Sequence, residues 1–320
     1  MKVAATKEWP IPWASGALAI VATSAIVSAL IYWPVFGGDP EIHIIFARNL
    51  LRGYPLQFNP GEHSSGETSP LYMVLVAAMY LAVGAYVPLA MKVAGFLGLV
   101  GCCALLYRAA RAQGASAASS WLFGVLPLFF PSLLFQASLG MENMLFATLV
   151  VLVLQSWLEA PRDGTTRSLL GISVLPLFFL RPEAVVLATC LSCLCLFDRD
   201  WRSFVAVSIG CVGTLAATLA LERYTGVPLQ AAGHLRAVIS QLESHDLHLG
   251  GLAIHLNPKV LWQLAYTAPL AALLAWMRKS ARLSRHERII LATMYGLPLL
   301  LHLFCVFPVS YTHLTLPTIL

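Results

Sequence analysis

Charge is what this chain has least of. Asp, Glu, Lys and Arg make up 11% of its 320 residues, where a soluble domain carries about 25%. No polar stretch is long enough to build a core of its own, which excludes a soluble globular domain. No Gly-rich phosphate loop faces the side assigned below to the cytoplasm, which argues against nucleotide chemistry. No internal repeat of fixed period is visible. The seven cysteines, at 102, 103, 190, 193, 195, 211 and 305, all fall in apolar runs and read as buried apolar side chains. Cys190-x-x-Cys193 has metal-like spacing but no partner pair, so zinc is not expected, and no disulfide framework is implied.

What remains is apolar. Hydrophobic residues are 58% of the chain and mean hydropathy is +0.76. Apolar runs recur at about the 20 residues needed to cross the hydrocarbon core, and runs this continuous exclude a barrel. The expected fold class is all-α: a polytopic membrane protein of about nine transmembrane helices. The spans are expected at 14–36, 88–107, 116–136, 143–158, 168–180, 184–197, 203–221, 260–277 and 289–308. The first reads as a retained span rather than a cleaved signal.

The net charge of +5 fits orientation better than nucleic-acid binding. With Lys2 and Lys7 in the cytoplasm, the basic loops at 108–111, 162–167, 199–202 and 278–288 all fall on that side. This holds only if Leu71 to Gly84 does not cross, so that segment is expected as a short helix on the outer face. It also requires a hairpin at Arg181-Pro182-Glu183, where Pro182 has no N–H to continue a helix.

The outer face then collects 37–70, the turn at Gly140-Met141-Glu142-Asn143, the turn at Arg181-Pro182-Glu183 and the loop 222–259. Leu235, Val238, Ile239 and Leu242 recur at helical spacing and predict an interfacial helix. The first of these segments carries the most polar chemistry. Asp39 and Pro40 open a predicted helix with Ile42, Ile45, Phe46, Asn49 and Leu50 on one face, and Gly53 ends it. As a helix cap, Asp39 stays ionised, and an ionised carboxylate can accept a proton from a hydroxyl. Capping and catalysis both account for it.

Other charged groups carry the same double reading. Arg181 at a recessed membrane turn either binds an anion or pairs with Glu183 or Glu142. Arg236 either binds phosphate or snorkels. Glu142 either orients a substrate or is an exposed turn residue. Arg48 faces water or pairs with a loop acid. Lys92 is expected to snorkel from the outer end of its span. His245-x-x-His248 with Asp246 has the spacing of a helix-face metal site, although solvated loop histidines are commoner. His302 reads as a satisfied buried group.

Asp39, Ala47-Arg48-Asn49-Leu50, Gly53-Tyr54, Phe58-Asn59-Pro60-Gly61-Glu62 and Thr68-Ser69-Pro70-Leu71 together resemble the first outer loop of GT-C membrane glycosyltransferases. The similarity is greatest to the branch of arabinofuranosyltransferases and protein mannosyltransferases. Gly140-Met141-Glu142, Arg181-Pro182-Glu183 and Tyr224-Thr225-Gly226 with Pro228 resemble further turns of that family. The resemblance covers roughly residues 30 to 240. The chain departs from the pattern at Gly38, where the family has the first acid of a pair; the nearby acid here is Glu41.

The resemblance implies inverting transfer of a sugar from a polyprenyl-phosphate donor to a hydroxyl on a glycan, lipid or protein, at the outer face of the plasma membrane and in service of the cell envelope. It implies Asp39 as the catalytic base, with Glu41, Arg48, Glu142, Arg181, Glu183 and Arg236 binding substrate. No cofactor is expected, and a divalent metal is not favoured, because one carboxylate holds such an ion poorly. Membrane lipids are expected partners and nucleic acid is not. A transporter or flippase, or an inactive lipid-binding assembly subunit, are the alternatives. Residues 1–308 read as one transmembrane glycosyltransferase-like domain. Val309 to Leu314 reads as translated library-adapter sequence running on to Leu320, so the natural chain is expected to continue past Pro308.

Overall fold

The computed structural model describes residues 39–64, 66–112, 115–129, 131–161, 165–226, 245–249 and 252–256. The expected spans 14–36, 260–277 and 289–308, the 235–242 helix with Arg236, His302, Cys305 and the 309–320 tail lie outside them. What is described is mostly helical, with two short antiparallel hairpins.

In chain order the elements are α1 (Asp39–Leu51), β1 (Gln57–Asn59), β2 (Glu62–His63), α2 (Pro70–Val83) and α3 (Val87–Ala112). Then follow α4 (Ala117–Val125), α5 (Pro131–Ser138), α6 (Asn143–Glu159), α7 (Thr165–Ile172), α8 (Val174–Leu180), α9 (Ala184–Asp198) and α10 (Trp201–Thr225). The second hairpin is β3 (His245–Leu249) with β4 (Leu252–Leu256). The chain forms two compact units. One holds Ala78–Leu158 together with residues 39–41; the other holds Ile42–Ala77 and the described residues from Glu159 on.

Local chemistry sets the helix ends. Ser116 caps α4 by accepting from the Ser119 N–H at 3.2 Å. Asp200 caps α10 by accepting from the Ser203 N–H at 3.1 Å, as N-cap side chains do. Gly226 closes α10 in the left-handed region, at φ 69°.

Among the described residues, two stretches are long and apolar enough to cross a membrane: Pro70–Ala112, a run of 43 residues, and Trp201–Thr225, of 25. The first is divided by a 3₁₀ turn at Gly84–Tyr86, where Gly84 takes φ 56°. The helix expected over Leu71 to Gly84 is therefore present as α2, joined to α3 by one turn. The predicted segments 143–158, 184–197 and 203–221 match α6, α9 and α10 closely.

Two expected continuous spans are broken. The 116–136 segment is α4, a 3₁₀ turn over Leu126–Phe129, and α5. Pro127 and Pro131 remove N–H donors there, so an α-helix cannot run through. The 168–180 segment is α7 and α8, parted at Ser173. The ring of Pro176 would clash with the carbonyl four residues back, at Ile172.

Small residues set the packing in both units. In the first, Gly95, Gly98 and Gly101 stand three apart on α3, facing Ala137 of α5 and Met144 and Thr148 of α6. The Thr148 hydroxyl lies 2.5 Å from the Gly98 carbonyl oxygen and 2.7 Å from that of Met144. Leu99, Cys103, Val125, Leu128, Ala137 and Met144 form the apolar core around this seam. A side chain at Gly98 would begin 2.9 Å from the Met144 backbone. Gly98→Leu is therefore expected to cost upwards of about 1–3 kcal/mol, read as a lowered thermal midpoint in detergent. Gly213→Ala, whose Cβ would meet Leu175 at an ordinary 3.6 Å, should leave that midpoint unchanged.

In the second unit, α10 packs its small face on α7: a Cβ at Gly210 would lie 3.0 Å from the Gly171 carbonyl. The other side of α10 exposes Trp201, Val205, Ile209, Val212, Leu215 and Leu219, while Ala206, Val207, Gly210 and Thr214 are buried. Large apolar residues outside and small ones inside reverse the pattern of a water-soluble helix. Cys211 shares the exposed side, which corrects its expected burial: its position on the helix turns it away from Gly171. Cys102, Cys103, Cys190 and Cys195 are buried as expected.

Candidate functional site

The acid-bearing segment after Gly38 is folded rather than loose. Asp39 and Pro40 open α1, and Pro needs no N–H at a first turn. Gly53, at φ 87°, closes it, with the Gly53 N–H on the Leu50 carbonyl and the Tyr54 N–H on the Asn49 carbonyl. The buried face of α1 is His43, Phe46, Ala47 and Asn49. Ile42, Ile45 and Leu50 are only half-buried, so the face is rotated from the expected one. The cause is polar: His43 and Asn49 hold the following loop.

Asn49 donates to the carbonyls of Gln57 and Phe58 at 2.9 and 2.8 Å. That clasps the β1–β2 hairpin onto the helix end. Gly61, at φ 96°, forms the hairpin turn, and its N–H reaches the Gln57 side chain at 2.6 Å. Phe58 packs edge-on to Phe46, with ring centroids 5.8 Å apart. On the other side of the hairpin the His63 ring meets Tyr224 at 5.2 Å. The loop segment and the end of α10, both quoted above for the resemblance, thus touch.

The most enclosed polar pair of this segment is His43 with Glu67. Glu67 is fully buried and His43 is 4% exposed. The His43 Nδ1 lies 3.1 and 3.0 Å from the two carboxylate oxygens. Glu67 Oε1 also accepts from the Ser69 N–H at 2.8 Å, and Tyr72 stands edge-on to the imidazole at 5.1 Å. Neither His43 nor Glu67 is among the candidate residues drawn from the sequence. No local pattern marks a pair 24 residues apart, and a histidine among Ile and Phe reads as core.

The sequence candidates take distinct places. Asp39 is half-buried at the head of α1, Glu41 and Arg48 are exposed along it. Glu142 is buried, 2% exposed, in the turn before α6, and so is not the exposed turn residue of its alternative reading. Gly140, at φ 75°, lets this turn press on α3: a Cβ there would meet the Lys92 backbone nitrogen at 3.3 Å. Lys92 itself is 4% exposed. It does not snorkel: its side chain is buried, and the Gly140 turn packs on the α3 backbone at this point.

Arg181 pairs with Glu183, Nε to Oε2 at 3.0 Å and Nη2 to Oε1 at 2.6 Å. The chain leaves α8 at Arg181 in extended conformation and re-enters helix at Ala184, as the expected hairpin requires. Arg236 lies outside the described residues.

The basic residue Arg167 is not a free loop charge. Its Nη1 lies 3.0 Å from Asp198 and 3.7 Å from Asp200, and its Nε donates to the Ala160 carbonyl at 3.2 Å. His245 and His248 stand in strand β3, with Asp246 opposite His255 in the register. This segment is strand rather than helix, so the helix-face spacing does not apply. Among the described residues no group of three or more His, Cys, Asp or Glu is placed to hold a metal. Comparison with protein-family models, curated proteins and solved structures finds no match.

Proposed function

We propose that this protein is a membrane-embedded glycosyltransferase of GT-C type. It transfers a sugar from a polyprenyl-phosphate donor to a hydroxyl acceptor on the outer face. The observation that carries this reading is the folded segment from Asp39 to Leu71, the stretch most specific to the resemblance. Its Asn49, Phe58 and Ser69 each have a defined partner there. The apolar exposed side of α10 supports a lipid setting, since a patch of this kind needs apolar cover.

The chemistry requires three things. A carboxylate accepts the acceptor's proton, the part of Asp39. The acceptor oxygen attacks the anomeric carbon as the bond to the phosphate oxygen breaks. A cation stabilises the departing lipid phosphate. Arg181 carries its own carboxylate, so a phosphate there would exchange one fork-shaped pairing for another. Glu142 orients a sugar hydroxyl.

The test is an assay of purified protein in lipid nanodiscs. The donors are polyprenyl-phosphate-linked arabinofuranose, mannose and aminoarabinose, with an alkyl glycoside as acceptor. Transfer from at least one donor, persisting in EDTA, is the expected result. No transfer from any donor, together with retained binding of polyprenyl phosphate, would favour an inactive lipid-binding subunit.

A further inference from the structure

We propose that the corner between α9 and α10, with Arg199, Trp201 and Arg202, is a binding site for the phosphate headgroup of an anionic membrane lipid. The inference uses the lipid setting of α10 but not the sugar-transfer reading. In sequence, Asp198-Arg199-Asp200-Trp201-Arg202 balances two acids against two arginines. The fold separates them. Both acids turn inward to Arg167, Asp198 at 3.0 Å and Asp200 at 3.7 Å, and each acid side chain is only 2% exposed. Arg199 and Arg202 are exposed. Among the described residues, neither of these two side chains has a hydrogen-bond or ion-pair partner.

The stability of the fold does not call for these two cations. Arg199 takes φ 57°, the left-handed conformation in which glycine or asparagine usually ends a helix. Arg202 stands in the first turn of α10, where the helix dipole disfavours a cation. An arginine with no carboxylate of its own presents a planar fork of N–H donors, and that fork matches the oxygens of a phosphate.

Apolar side chains flank the two arginines. Leu196 and Phe197 at the end of α9 are 49% and 43% exposed, and Trp201 is 62% exposed. The Trp201 ring stands edge-on to Phe204, with centroids 6.0 Å apart. Its indole N–H is a further donor, and tryptophan favours the level where headgroups meet hydrocarbon. From Trp201 the exposed side of α10 runs on through Val205, Ile209 and Val212. At about 1.5 Å per residue, Trp201 and Val212 lie about 16 Å apart along the axis, close to one leaflet of the hydrocarbon core. An acyl chain lying on that stripe brings its phosphate to the arginines. The continuity of apolar stripe and cationic end favours a lipid over a soluble anion.

The experiment measures lipid bound to the full chain in detergent micelles by native mass spectrometry. The probes are phosphatidylglycerol and phosphatidylcholine with the same acyl chains. Wild type should bind phosphatidylglycerol in preference to phosphatidylcholine. Arg199→Gln combined with Arg202→Gln should weaken that binding by about tenfold or more. Arg223→Gln removes an exposed charge from the other end of α10 and should leave the binding unchanged. A micelle has no sides, so a change of membrane orientation does not imitate the result.

Arg199→Gly separates binding from folding. Glycine accepts the φ of 57° without strain. The thermal midpoint without lipid should therefore hold or rise, while phosphatidylglycerol binding weakens about fivefold. This variant decides alone if the double variant does not fold. Equal phosphatidylglycerol binding by wild type, the double variant and Arg199→Gly would overturn the inference. So would an equal loss in Arg223→Gln, which would mark attraction by net charge alone. A wild type with no preference between the two lipids would also overturn it, and would leave the corner to an acidic protein segment. None of these outcomes depends on sugar transfer.

Discussion

Asp39→Asn should lower sugar transfer by at least about 100-fold, the scale on which general-base catalysis acts, and leave stability untouched. The two expectations follow from one property of the residue. Asp39 opens α1, where Asn and Asp satisfy the first-turn N–H groups almost equally well. The substitution keeps the size of the side chain and a hydrogen-bond acceptor at the helix start, and removes the base. Initial rates in nanodiscs and the thermal midpoint of the same preparation are the two readings. A fall in the midpoint together with the rate would mean that the charge serves the helix dipole. Unchanged transfer would place the base elsewhere.

Arg167→Met should be the most destabilising single change among the described polar residues of the second unit. Arg167 holds two carboxylates, Asp198 and Asp200, with all three side chains 6% exposed or less. Removing one partner of a buried pair leaves uncompensated charge and costs about 3–5 kcal/mol. Here two acids would be left facing each other. Adding Asp198→Asn and Asp200→Asn should restore much of the loss, because Asn still caps α10 at position 200 and no buried charge remains. Equilibrium unfolding in detergent measures both variants. Equal stability of Arg167→Met and wild type would show that the cluster is screened by water.

The ends of α6, α9 and α10 were legible because apolar runs stop at polar and Gly punctuation such as Asp198-Arg199-Asp200 and Gly226. The break at Arg181-Pro182-Glu183 was legible from Pro182 and the placement of basic loops. The breaks at Leu126–Phe129 and Ser173 also have visible causes in Pro127, Pro131 and Pro176. Hydropathy alone overrides them, since an apolar window stays apolar whether or not its helix is continuous. Lys92 failed for another reason. Snorkelling assumes open space along the helix, and the turn at Gly140 that packs on α3 at Lys92 is almost fifty residues distant in the chain.

By itself the sequence determined the class of the fold: helices, their approximate ends, and one acid-rich segment set among apolar runs. These follow from quantities that add along the chain, namely apolar content, charge spacing and the missing N–H of proline. Only the tertiary structure decided which side chains of that segment face inward. His43 meets Glu67 across 24 residues, and Asn49 reaches the carbonyls of a hairpin that forms after its helix has ended. Such pairings depend on where the chain turns back, which is set at Gly53 and Gly61 by backbone conformation. A buried polar group must find its partner wherever the fold brings one, and no spacing within a single helix records that choice.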